Sequence, residues 1–166
     1  MNACGAYVLV IEAIALCAAL FVACLMGSGT DQKNLRNYAS YPDEVQQRIQ
    51  AIPAYQGRFR KTAWWASWMA NFLLFAVVLF VLGLALRESH AMHNFFALLL
   101  LGETLNMFDL VVVDLLWWRN TTRIRLSEIP EKSLYQNPRK HLEAFLRAAV
   151  MFFLVALVDG YLLALF

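Results

Sequence analysis

The sequence predicts an all-α integral membrane protein: four transmembrane helices in an antiparallel bundle, with a short amphipathic helix in the first long loop. Three observations carry this. The 166 residues are 61% hydrophobic and only 16% charged, with mean hydropathy +0.54; a soluble domain is about half apolar and a quarter charged. Four apolar stretches of 23 to 25 residues stand apart, each long enough to cross a hydrocarbon core of about 30 Å as a helix. Basic residues and tryptophans then gather on one side of those stretches. With 7 Gly and 4 Pro, the chain is neither collagen-like nor compositionally disordered. A net charge of +2 gives no reason to expect nucleic acid as a partner.

The first span is expected over Gly5–Gly27. Phe21-Val22-Ala23-Cys24 loosely matches a lipoprotein cleavage site, but no Lys or Arg precedes the stretch and Phe stands where Leu is usual, so a retained helix is expected. Of the three cysteines, Cys4 lies beside this span, whereas Cys17 and Cys24 are seven apart and share one face as small lipid- or helix-facing residues. In the loop 28–62, Tyr41 to Ile49 reads as a short helix. Pro42 suits its first turn, Asp43 and Glu44 suit its positive end, and Pro53 stops it. Val45, Ile49 and Ile52 form a narrow apolar stripe that lies along the membrane or under the bundle. Arg58-Phe59-Arg60-Lys61 reads as a topology anchor with a further capacity for lipid phosphate. The remaining spans are expected over 63–86, 94–118 and 142–166, with a second long loop over 119–141, the whole chain forming one membrane domain.

Charge sets the orientation. Of 14 Lys and Arg, six lie in loop 28–62 and six in loop 119–141, against one in the short turn 87–93. Two loops on one side of a four-span protein with that excess are expected to be cytoplasmic, leaving both termini outside an inner (plasma) membrane. Trp64, Trp65, Trp68, Trp117 and Trp118 all fall at the same interface, with ring in lipid and N–H toward water.

A charge at bilayer depth costs about 2.5–3.5 kcal/mol, so acids and bases within spans need a reason to be there. Counting from helix ends puts Asp114 and Arg147 at one depth, and a buried ion pair between them is expected to dock the third helix on the fourth. The same count puts Glu12, Glu103 and Asp159 at one level in the outer half, where no Lys or Arg is available. Two readings stay open for that trio: a proton- or cation-binding site, or neutral acids hydrogen-bonded between helices. On the third span Glu103, Asn106, Leu110 and Asp114 form one stripe, with Asp109 about a third of a turn away, and Asn71 on the second span is a natural partner.

His90 and His93 flank the short turn near Glu88 and read as solvated rather than as metal ligands. No nucleophile elbow, phosphate-binding glycine loop, HExxH or paired-aspartate motif occurs, and neither cofactor nor metal is expected.

Tyr41-Pro42-Asp43-Glu44-Val45-Gln46-Gln47-Arg48, together with Asp109, Asp114, Trp118, Arg123, Arg125, Glu131, Tyr135 and His141, resembles small uncharacterised bacterial multi-pass proteins labelled permease-like. Where that pattern carries His and Gly-Thr-Glu around positions 120–131, this chain has Asn120 and Ser127-Glu128-Ile129-Pro130. The resemblance implies no activity and nominates the cytoplasmic end of the third span and the loop after it as a site.

Three functions fit these readings. The leading one is a transporter or permease-type component that handles a cation, proton or small molecule through its intramembrane carboxylates. Four spans are few for a complete pathway, so this implies a homo-oligomer or a larger membrane complex in the lipid bilayer. A lipid-binding or lipid-modifying enzyme would instead use Asp114, Arg125, Glu131, Tyr135, His141 and Arg147 at the cytoplasmic face. A non-catalytic accessory subunit needs only the fold.

Overall fold

A computed structural model describes residues 3–165. It is an all-α bundle with four helices long and apolar enough to cross a membrane. Helix α1 runs Ala3–Met26, α4 Trp64–Leu86 and α6 Arg139–Ala164. The third span starts as α5, Ala91–Phe108, and continues without a break as a π-helix, Asp109–Trp118. Helices α2 (Asp31–Arg36) and α3 (Asp43–Ala51) are short and lie in the first long loop. The bundle therefore has one end bearing the two long loops, here the loop end, and an opposite end bearing the termini and the short turn.

The third and fourth spans begin three residues before their expected starts, at Ala91 and Arg139. Asn94 explains the first shift: its side chain bonds both the N–H (2.7 Å) and the C=O (2.8 Å) of Glu88, clamping the turn so that the helix begins ahead of it. Pro42 caps α3 rather than opening it; the helix starts at Asp43, which pairs with Lys140 at 2.8 Å.

Helices α5 and α6 form the tightest pair because small residues let them approach. A Cβ on Gly160 would sit 2.8 Å from the backbone of Phe95, and one on Gly102 would sit 2.7 Å from the ring of Phe152. Without a hydrophobic drive between helices in lipid, such close packing is what holds spans together. Around that contact Leu79, Leu98, Leu101, Val155, Ala156 and Leu163 are buried in the bundle core.

The two long loops share a second core. Val45 and Ile49 of α3 are fully buried, so the apolar stripe lies under the bundle, packed with Leu35, Ile124, Leu126 and Ile129. Three tyrosines tie it by their hydroxyls. Tyr41 donates to the Ile124 carbonyl at 2.6 Å. Tyr135 donates to the Ile129 carbonyl at 2.8 Å and accepts from the Leu126 N–H. Tyr55 donates to Asp31 at 2.9 Å. Burial raises the Tyr41 phenol above its ordinary value and pushes that of Tyr135 up to about 12. Burial alone would also raise Asp31, but hydrogen bonds from the Ser127 side chain and N–H and from Tyr55, with Arg58 nearby, hold that carboxyl below its ordinary range. Arg123 locks this core to the bundle by donating to the Leu25 carbonyl (3.0 Å) and the Ser28 carbonyl (3.4 Å) at the C-terminal end of α1.

Trp118 joins the two cores. It is 8% exposed, packed against Tyr41 and Tyr135, so it belongs to the protein interior rather than to an interface belt. Trp64 and Trp65 are exposed, as an interfacial indole requires. Trp68 stacks on Phe72 and donates to the Arg147 carbonyl at 3.3 Å.

Candidate functional site

The change from α- to π-helix decides which acids meet. In an α-helix, residues five apart lie about 140° from one another around the axis, which would turn Asp109 away from Asp114. Hydrogen bonding from i to i+5 brings residues five apart onto nearly one face. Locally, Val111, Val112 and Val113 form a β-branched run with lowered preference for α-helix.

Both aspartates line one cavity of about 180 Å³. Its other polar walls are Asn106 and Asn71; Phe75, Phe145, Phe152, Leu105, Leu110 and Leu20 are among its apolar walls. Asn106 is 4% exposed, and its amide donates to Glu103 (3.1 Å) and to the Phe145 carbonyl (3.3 Å), leaving Oδ1 without a donor among the described residues. Asp109 makes no hydrogen bond or ion pair among the described residues, whereas Asp114 lies 2.9 Å from Nδ1 of His141. Asn71 and Ala144 are exposed and mark the mouth. The polar stripe expected on the third span thus faces the bundle interior, with Asp109 added to it by the π-helix.

His141 is the residue whose role the sequence concealed. It is 5% exposed, stands edge-on to Trp118 with ring centroids 4.7 Å apart, and has no partner for Nε2 among the described residues. It closes the loop end of the cavity through Asp114 and touches the second core through Trp118. A histidine opening a helix after Pro138-Arg139-Lys140 carries no sequence signal of burial.

The expected Asp114–Arg147 pair does not form. The Arg147 side chain is 49% exposed, with its nearest carboxylate, Glu143, 4.0 Å away on the same helix face. The start of α6 does lie near Asp114, but its rotation sends positions 143 and 147 outward while 141, 145, 148 and 152 point in.

The outer trio is not assembled as one hydrogen-bonded site. The α5–α6 register sets Gly160 against Phe95 and Gly102 against Phe152, so the neighbouring Asp159 and Glu103 differ in level by about 10 Å along the bundle. No hydrogen bond joins any two of Glu12, Glu103 and Asp159 among the described residues; Glu103 is bonded to Asn106, and Glu12 and Asp159 each bury an oxygen without a partner. The α5–α6 register, rather than the distance from each helix end, sets these levels.

The other loop-end candidates serve the loop fold. Glu131 pairs with Arg48 on the surface at 3.1 Å, Tyr135 is spent on backbone groups, and Arg125 is half-buried with its carbonyl accepting from Asn34. None of these three lines the cavity that Asp109 and Asp114 share. His93 lies 3.4 Å from Glu88, and among the described residues no group of three or more His, Cys, Asp or Glu is placed to hold a metal ion.

Comparison with protein-family models, with curated proteins and with solved structures finds no match, so the fold and the site rest on this chain's own geometry.

Proposed function

We propose that this chain is a transporter- or permease-type membrane component that exchanges a proton for a cation at the Asp109–Asp114 cavity. The supporting observation is the lining of that cavity: two carboxylates and the buried amide of Asn106 between apolar helices, with the Asn71 amide at the mouth and no Lys or Arg among the walls. Such a placement costs folding energy, and intramembrane acids of this kind mark ion and proton pathways. Asp109, which has no hydrogen-bond or ion-pair partner among the described residues, is the proton acceptor in this reading. Asp114 is held by His141, so a change of charge at the cavity is felt by Trp118 and the loop core.

The positive-inside bias supports a cytoplasmic loop end, which in this reading sets the cavity in the cytoplasmic half of the bundle. Helices α1 and α4 bury little of themselves, in keeping with a homo-oligomer or larger complex in the bilayer. The test is proton release from purified protein in weak buffer on addition of Na⁺, K⁺ or an alkylammonium chloride. The expectation is release by the wild type and a loss of at least tenfold in Asp109→Asn. Absence of release with every cation, or release unchanged in the variant, refutes the reading.

A further inference from the structure

We infer that the ligand of the Asp109–Asp114 cavity is an organic ammonium group, a free amine or a lipid headgroup amine, rather than an inorganic cation. The inference rests on the exchange reading above and names its substrate class. Three features of the cavity carry it.

The first is size. At 10–15 Å³ for each water-sized probe, 180 Å³ holds on the order of ten waters. A dehydrated inorganic ion fills a small part of that and needs a closed shell of oxygens at short range. A substituted ammonium fills it with its own carbons.

The second is the balance of the walls. Asp109, Asp114, Asn106 and Asn71 are the polar residues, while the rings of Phe75, Phe145 and Phe152 supply apolar faces, with Phe75 and Phe152 edge-to-face at 4.9 Å. Carboxylates neutralise an ammonium, amide oxygens accept its N–H donors, and phenyl faces attract its charge through cation–π contact. Asn106, 4% exposed, lines the cavity with an Oδ1 that accepts no hydrogen bond among the described residues and so is open to an N–H donor. A strongly hydrated metal ion gains little from phenyl walls.

The third is the mouth. Asn71 lies seven residues inside α4 from Trp64, about 10 Å from the helix end, and is exposed together with Ala144. An ammonium can therefore enter sideways from the headgroup layer or from solution at the loop end.

The experiment is calorimetric titration of delipidated protein in neutral detergent with tetramethylammonium, ethylammonium and sodium chlorides at matched ionic strength. The expected result is that both ammonium ions bind at least tenfold more tightly than Na⁺. Asp109→Asn should weaken all binding, and Phe75→Leu should weaken tetramethylammonium about threefold without changing Na⁺. Repeating the titration in nanodiscs separates the sources. If phosphatidylethanolamine discs abolish binding that phosphatidylglycerol discs permit, the headgroup is the ligand; if both permit it, the ligand is a free amine. Equal affinity for Na⁺ and the ammonium ions, with Asp109→Asn still blocking proton release, overturns this inference and leaves the exchange reading standing. Ammonium binding that is indifferent to both variants also overturns it.

Discussion

Replacing His141 with Ala separates the observed pairing of Asp114 from the one expected by depth. The imidazole places Nδ1 2.9 Å from a carboxylate oxygen of Asp114, on a side chain 5% exposed. A hydrogen bond to a charged group is worth about 1.5–3 kcal/mol. Removing the ring also leaves a void against Trp118 of roughly 60 Å³, which at about 24 cal/mol per Å³ adds about 1.5 kcal/mol. The expected loss is therefore about 3–4.5 kcal/mol. Arg147→Ala should cost under about 0.5 kcal/mol, because that side chain is half exposed and its nearest carboxylate is 4.0 Å away. Reversible denaturation in mixed micelles, followed by tryptophan fluorescence, measures both on one scale. A loss on Arg147→Ala equal to that on His141→Ala would refute the pairing, as would His141→Ala within 0.5 kcal/mol of wild type by that same measure.

Three further outcomes follow from the packing. Tyr41→Phe removes a buried donor 2.6 Å from the Ile124 carbonyl and should cost about 1–3 kcal/mol in the same unfolding assay. Gly160→Val places side-chain atoms where even a Cβ would lie 2.8 Å from the Phe95 backbone, and should lower stability by about 1–3 kcal/mol through a widened α5–α6 contact, read as lost hydrogen-exchange protection in both helices. The loop core should hold its full stability between two pH limits. The Asp31 carboxyl titrates below its ordinary 3.8 in the folded chain, so its contribution is present above that value and disappears as pH falls through the folded value. The Tyr135 phenol is raised from 10.0 to about 12, so its contribution is complete below pH 10 and is lost as pH rises toward 12, measurable by near-ultraviolet tyrosine absorbance against circular dichroism.

The spans were legible in the sequence because membrane solvation acts on composition alone: a long apolar run without charges must be helical in lipid. The polar stripe was legible for the same reason, since Asn106 and Asp114 at helical spacing have nowhere cheap to go but inward. What could not be read was rotation. Arg147 and His141 were both near Asp114 in depth, and only the α5–α6 contact, set by Gly102 and Gly160, decides which one faces it. The π-helix is a second hidden step, because its hydrogen-bond register is a property of the backbone and moves Asp109 onto the face of Asp114. The loop core was hidden for a third reason. Tyr41, Tyr55, Tyr135 and Ile129 are scattered over two segments without periodicity, and their common burial depends on contacts made across more than 70 residues of chain.

The measurement that tests the site most directly is infrared difference spectroscopy of the carboxyl C=O stretch on adding ethylammonium to protein held near neutral pH. If protonated Asp109 gives up its proton as the cation binds, the wild type loses a carboxylic-acid band and gains carboxylate. That change should vanish in Asp109→Asn and persist in Glu12→Gln and Asp159→Asn. A band that survives in Asp109→Asn and disappears in either of the other two variants would place the exchanging proton at the opposite end of the bundle and contradict the assignment.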